Sequence, residues 1–196
     1  MQTVVVFDCE SDGRLPPGLD DRSASAAATR AERFERIQCT CAVALVLDAA
    51  LLRDPHSAAR ALASAQKIVC WRDKAVPGAS DSHSPFSPLL AAFDDAALIV
   101  GFNAFDFDFP LLRKHYRSTA RYMGHRLKTH DPFDDIRART GRWESLDNLL
   151  RYNGLATKNG LTGLDAVRLW DEVQYAEVPE AALRARKALE KYCEND

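Results

Sequence analysis

The run Val4-Val5-Val6-Phe7 is apolar throughout and closes on Asp8-Cys9-Glu10. Short, apolar and closed by acids, it reads as a buried strand from Thr3 to Asp8 that ends at an acidic turn. Further strand-like runs follow at Ile37 to Leu47, Lys67 to Trp71 and Ala97 to Phe102, with a last short one at Lys128 to Asp131. Ala49 to Gln66 is alanine- and leucine-rich and partly helical, broken at Pro55, with Ser57 as a cap for its second half. Leu89 to Asp94 reads as a short helix, and Phe109 to Tyr116 as another, with Pro110 suited to its first turn. Asp135 to Arg139, Ser145 to Asn153, Gly163 to Asp171 and Glu180 to Asn195 complete the helical set, with Ser145 and Pro179 as start signals. Two connectors stand out: Ser11 to Arg36, long enough to be functional or mobile, and Asp73 to Pro88, whose Pro, Gly, Ser and Asp mark a loop.

Strands come first, then strand and helix alternate, then helices alone. Little helix separates the Ile37 and Lys67 runs from the first strand, so both are expected to pair antiparallel to it. The Ala97 and Lys128 runs have helical crossovers and should lie parallel to it. The expected architecture is α/β, a mixed five-stranded sheet with helices on both faces. At 196 residues, with no internal repeat, the chain suits one domain over residues 1–196.

The formal net charge is −2, so no global basic signature points to nucleic acid, although an acidic metal site would offset local lysines and arginines in the sum. The first strand is preceded by no basic segment with a longer apolar stretch, and no apolar run approaches membrane-spanning length. Five cysteines, Cys9, Cys39, Cys41, Cys70 and Cys193, have neither zinc-ribbon nor disulfide-scaffold spacing, and read as reduced core thiols. The expected location is therefore intracellular, cytoplasmic or nuclear, not secreted and not in a membrane.

Three segments carry candidate chemistry. Asp8 and Glu10 are two apart in an extended chain, so their carboxylates share one side. After the Ala97 strand comes Asn103-Ala104-Phe105-Asp106-Phe107-Asp108-Phe109-Pro110, in which phenylalanines alternate with two aspartates. Buried carboxylates there would need partners, which bound metal or solvent could supply. In the last helix Tyr192 and Asp196 are four apart and share a face with Leu189, one turn earlier.

Phe7-Asp8-Cys9-Glu10, Asn103 through Phe107-Asp108-Phe109-Pro110, and Tyr192-Cys193-Glu194-Asn195-Asp196 together resemble the three exonuclease motifs of the DEDD superfamily. The Tyr-x-x-x-Asp spacing is similar to its tyrosine subgroup (DEDDy). The middle motif is similar to the proofreading exonuclease domain of family B DNA polymerases, and His130-Asp131-Pro132 with Ser145-Leu146-Asp147-Asn148-Leu149-Leu150 looks like its stand-alone relatives. The resemblance covers Val4 to Asp196 and implies an RNase H-like fold. It also implies a 3′–5′ exonuclease that hydrolyses phosphodiester bonds at single-stranded DNA or RNA 3′ ends.

On that resemblance Asp8, Glu10, Asp108 and Asp196 would hold two divalent metal ions, and their hard oxygen donors favour Mg²⁺ or Mn²⁺. Asp106 would not be a ligand. Tyr192 would orient the attacking water, since a phenol with a pKa of about 10 is a better orienter than base. Asn103, Phe105 and Phe107 would meet the substrate, the rings either stacking on terminal bases or packing in the core. Arg30, Arg33, Arg36, Arg113, Lys114 and Lys158 are candidate phosphate contacts or scattered solvated charges. Asp196 is the last residue, where helices fray; either a longer chain supports it or metal and substrate order it. A nucleic-acid-binding module with a weakened site on the same fold is the alternative. A phosphatase-like enzyme built on Asp8 would want a lysine and a hydroxyl residue on neighbouring strand ends, and no convincing set is found.

Overall fold

A computed structural model describes residues 2–13, 32–72, 84–155 and 161–195. Strand β1 (Thr3–Ser11) sits at the middle of a five-stranded sheet of order β3-β2-β1-β4-β5, completed by β2 (Cys39–Asp48), β3 (Gln66–Trp71), β4 (Leu98–Val100) and β5 (Thr129–His130). β1 and β2 pair antiparallel from Thr3 opposite Asp48 to Glu10 opposite Cys41, with an irregularity between Glu10 and Ser11. β4 runs parallel to β1 along Val4 to Val6, and β5 runs parallel to β4. The sheet is mixed, as expected. One pairing differs: β3 pairs antiparallel with β2, not with β1, and so runs in the same direction as β1. A strand has two edges, and those of β1 are already taken by β2 and β4.

Residues 32–36 are helical, and the further α-helices among the described residues are α1 (Ala58–Ala63), α2 (Ser87–Asp95), α3 (Asp108–Leu112), α4 (Thr119–Leu127), α5 (Pro132–Thr140), α6 (Leu146–Tyr152), α7 (Gly163–Tyr175) and α8 (Pro179–Asn195). Alternation along β1 decides which side each packs on. Val5, Phe7 and Cys9, with Ala42, Ala44 and Ile99, bury against Leu89, Leu90 and Phe93 of α2 and Phe109 and Leu112 of α3. Phe7 meets Phe93 and Phe109 edge-on, at 4.7 and 5.8 Å between ring centroids. Rings of this size each contribute about 1.5–3 kcal/mol on burial. On the opposite face Cys41 and Val43 pack against Ala166 and Trp170 of α7 and Leu189, Tyr192 and Cys193 of α8. Directly paired residues of an antiparallel ladder point to the same side. Asp8 faces Val43 and Glu10 faces Cys41 in register, so both acids lie on the α7–α8 side of the sheet.

Several boundaries move. The Phe109 helix ends at Leu112 and tightens into a 3₁₀ turn, Arg113–His115. Pro132 opens α5, with Asp131 as its N-cap. Ser57 precedes α1 without capping it, because its hydroxyl donates to Asp54 Oδ2 at 3.0 Å. Helix α4 was not expected at all. Its sequence lacks an apolar stripe, and its one buried residue is His125. The Tyr122 ring meets Phe109 and Tyr116 edge-on, and polar contacts do the rest. Ser118 Oγ accepts from Arg121 N at 3.2 Å, Arg121 donates twice to Asp94 at 2.9 and 2.6 Å, and His125 bridges Tyr116 and Asp94 at 2.8 Å each. All five cysteines are buried free thiols. Among the described residues no helix is long and apolar enough to cross a membrane. Residues 14–31 of the first connector and 73–83 of the second, with Arg30 and Lys158, lie outside the described residues.

Candidate active site

β4 stops pairing with β1 at Val6, so beyond that point the β4-side edge of β1 has no ladder partner. A buried N–H left there would cost about 1–3 kcal/mol. Asp108 removes the cost: its Oδ1 accepts from Cys9 N at 2.8 Å. The first residue of α3 is thereby fixed beside the strand end that carries Asp8 and Glu10. Asp108 is 1% exposed. Burial first, and the Asp8 carboxylate second, push its carboxyl well above the usual carboxylate range, while the Cys9 N–H works against them.

The loop between β4 and α3 is built for tight turning. At Gly101 a Cβ would meet the Ala104 Cβ and the Phe7 ring at 2.9 Å, so only glycine lets the chain pass. Asn103 adopts φ +60°, a left-handed conformation that asparagine tolerates better than most residues. Asp131, at the end of β5, then ties the loop down. Its carboxylate accepts from Asn103 N at 2.8 Å, Phe105 N at 3.0 Å and Phe133 N at 3.1 Å. In the sequence Asp131 stands out only as part of His130-Asp131-Pro132. The clue available was an aspartate directly before a helix-opening proline, a capping arrangement.

Asp8, Cys9, Glu10 and Tyr192 line one side of a cavity of about 440 Å³, with Phe102, Asn103 and Phe107 beside them. Glu10 is 7% and Tyr192 5% exposed. Phe133, the segment Trp143 to Leu146 and Gly163 at the start of α7 complete the lining. The Asn103 Oδ1 is buried without a hydrogen-bond partner. Phe107 lines the cavity and meets Phe34 edge-on at 6.1 Å. Phe105 packs elsewhere: it stacks on Phe109 at 6.1 Å beneath the Arg126 guanidinium at 4.9 Å. Asp106 pairs with Arg137 at 3.6 Å. Asp196 lies outside the described residues.

One neighbour was missed. Asp8, Glu10 and Cys193 offer donor atoms that lie within 4.8 Å of one another and could hold a metal ion. Cys193 Sγ donates to the Asp8 carbonyl at 3.3 Å and to Asp8 Oδ2 at 3.4 Å. Burial pushes its thiol well above the usual range, and Cys41 and Asp8 add to this. The thiol donates to Asp8 and sets a sulfur beside the oxygen donors that the sequence led us to expect. The next residue, Glu194, is turned to β3, where Lys67 binds it at 3.2 Å and Glu190 at 2.7 Å. Of the candidate phosphate contacts, Lys114 donates to the carbonyls of Glu35 and Ile37 at 2.6 and 3.2 Å. Arg113 reaches Thr119 Oγ1 at 3.1 Å and lies over Tyr122. Both hold the fold together.

The site thus forms where the parallel strands β1, β4 and β5 end, which is where ligands bind in open α/β sheets. The architecture is α/β of the RNase H-like kind. No protein-family model and no curated sequence matches the chain. Among solved structures it is similar to the family B DNA polymerase from the hyperthermophilic archaeon Pyrobaculum calidifontis, with a TM-score of 0.55 and 16% identity. The match covers 100% of this chain and 23% of the polymerase chain.

Proposed function

We propose that the chain is a single 3′–5′ exonuclease-like domain, over residues 1–196, that hydrolyses single-stranded DNA or RNA from the 3′ end. The observation that carries this reading is the convergence of Asp8, Glu10 and Tyr192 on one cavity, with Asp108, which is buried and not itself in the lining, bonded to the backbone of Cys9, which is. The likeness of fold to a family B DNA polymerase supports it.

The donor chemistry fits Mg²⁺ or Mn²⁺. Asp8 and Glu10 converge within reach of one ion, and Asp108 is a carboxylate whose proton affinity is raised by burial and by Asp8. Such crowded negative oxygens suit a hard divalent cation. Asp8, Glu10, Asp108 and Asp196 would hold two ions, which when bound supply an acidified water and neutralise phosphate charge. The side chains do the rest. Tyr192 donates its hydroxyl to position the attacking water. Asn103, with its unpartnered Oδ1, accepts from a sugar hydroxyl of the terminal nucleotide. Phe107 covers the reacting end and limits water access.

The test is release of mononucleotides from a labelled single strand with Mg²⁺ or Mn²⁺. Activity that EDTA abolishes supports the reading, and activity undiminished in excess chelator rejects it. A weakened binding module on this fold would hold the same strand in Mn²⁺ and release nothing.

A further inference from the structure

We infer that Trp143 is the stacking platform for the base of the 3′-terminal nucleotide, and so sets how tightly an end is gripped and which base is preferred there. The inference rests on the nucleic-acid reading of the cavity above. Trp143 is 65% exposed, an unusual state for the largest apolar side chain, yet it lines the same cavity as Asp8 and Glu10. It is also held in place. Phe133 meets it edge-on at 5.0 Å and 67°, and Phe133 is itself braced by Phe102 at 5.4 Å. The Arg137 guanidinium lies 5.4 Å from the indole centroid and is anchored by Asp106 at 3.6 Å and Asp134 at 3.5 Å.

An aromatic ring that is fixed but uncovered presents a π surface without an ordering cost on binding. The cavity therefore has acids on one part of its lining and a braced indole on another. A nucleotide has the matching polarity: a phosphate for the metal-binding acids and a flat base for the ring. Every base has a π face, so the platform tolerates sequence, and larger purines should stack better. An apolar peptide would satisfy the rings but not the carboxylates. The packing also gives Asp106 a role distinct from that of Asp108: it anchors the arginine behind the platform.

The probe is a short single strand, made both as DNA and as RNA, whose 3′ end carries adenine or is an abasic sugar, titrated in Ca²⁺ in place of Mg²⁺. Trp143 is the most exposed of the three tryptophans, and the part of any quench that is lost in Trp143→Ala reports its stacking. The adenine end should quench the fluorescence, and Trp143→Ala should weaken binding about 5- to 100-fold with loss of the quench. Trp143→Phe should restore most of the affinity, and the abasic end should bind the wild type as weakly as the adenine end binds the alanine variant. Equal binding of both ends, or unchanged binding by Trp143→Ala, overturns the inference and leaves the exonuclease reading intact. A wild type that binds neither end overturns both. Binding that depends on Trp143, with no hydrolysis in Mn²⁺, supports the platform and rejects the exonuclease.

Discussion

Asp108 Oδ1 accepts the Cys9 backbone N–H at 2.8 Å across ninety-nine positions of sequence. That one bond joins the helix after β4 to the unpaired edge of β1. It fills a hydrogen-bonding gap in the sheet and delivers a carboxylate to the strand end that carries Asp8 and Glu10. Fold and chemistry meet in the same atom.

Two aspartates of one loop should therefore behave differently. Asp108→Asn keeps an oxygen that can accept from Cys9 N but removes the charge proposed to hold metal, so it should abolish nearly all hydrolysis while the protein stays folded. Asp106→Asn weakens an ion pair with Arg137 on a partly exposed side chain, worth about 0–1 kcal/mol, and its effect should be much milder. Circular dichroism and initial rates on both variants decide this. Equal loss of activity from two folded proteins would mean that the carboxylates are assigned wrongly.

Tyr192 is buried against Cys41, Val43 and Leu189 with its side chain on the cavity. Phenylalanine preserves that packing. Tyr192→Phe should lower turnover by about two to three orders of magnitude, the usual loss for one positioned hydrogen bond, with Mn²⁺ affinity unchanged. Single-turnover rates beside calorimetric Mn²⁺ titration separate the two quantities. A variant that hydrolyses normally would leave Tyr192 as a packing residue.

Asp131 carries a structural prediction. Replacing it by alanine strips acceptors from Asn103, Phe105 and Phe133 N–H groups together. At about 1–3 kcal/mol for each fully buried group, and less for those partly exposed, the loss should be about 3 kcal/mol. For a chain of this size that is about 6–12 °C in Tm. Thermal unfolding in EDTA measures it without any contribution from metal. A loss of less than about 1 kcal/mol would mean that the loop is held by its glycine and turn geometry alone.

What the sequence made legible, and what it did not, follows from the range of the interactions. The apolar run Val4 to Phe7 with its acidic end, and the near-continuous apolar run from Ile37, reported strands because burial on both faces leaves a local mark. The i, i+2 spacing put Asp8 and Glu10 on one side, and the structure has them lining one cavity. The partner of β3 left no such mark, since pairing is decided by which edges remain open. Helix α4 hid because Asp94, distant in sequence, supplies the contacts that an apolar stripe would have given; Ser118 was its one local signal. Cys193 looked like a core thiol and is one, but only the packing of α8 on β1 places it against Asp8. The division of labour between Phe105 and Phe107, neighbours in an alternating aromatic run, likewise depends on Arg126 and Phe34, which no spacing rule connects to them.

The position at which a divalent ion binds is the most direct test of the proposed function. Crystals soaked in Mn²⁺ and measured for anomalous scattering show this directly. The prediction is density among Asp8, Glu10 and Asp108, lost in Asp8→Asn crystals treated alike. Well-ordered carboxylates at this strand end with no anomalous density between them, at a Mn²⁺ concentration that fills other sites, would contradict it.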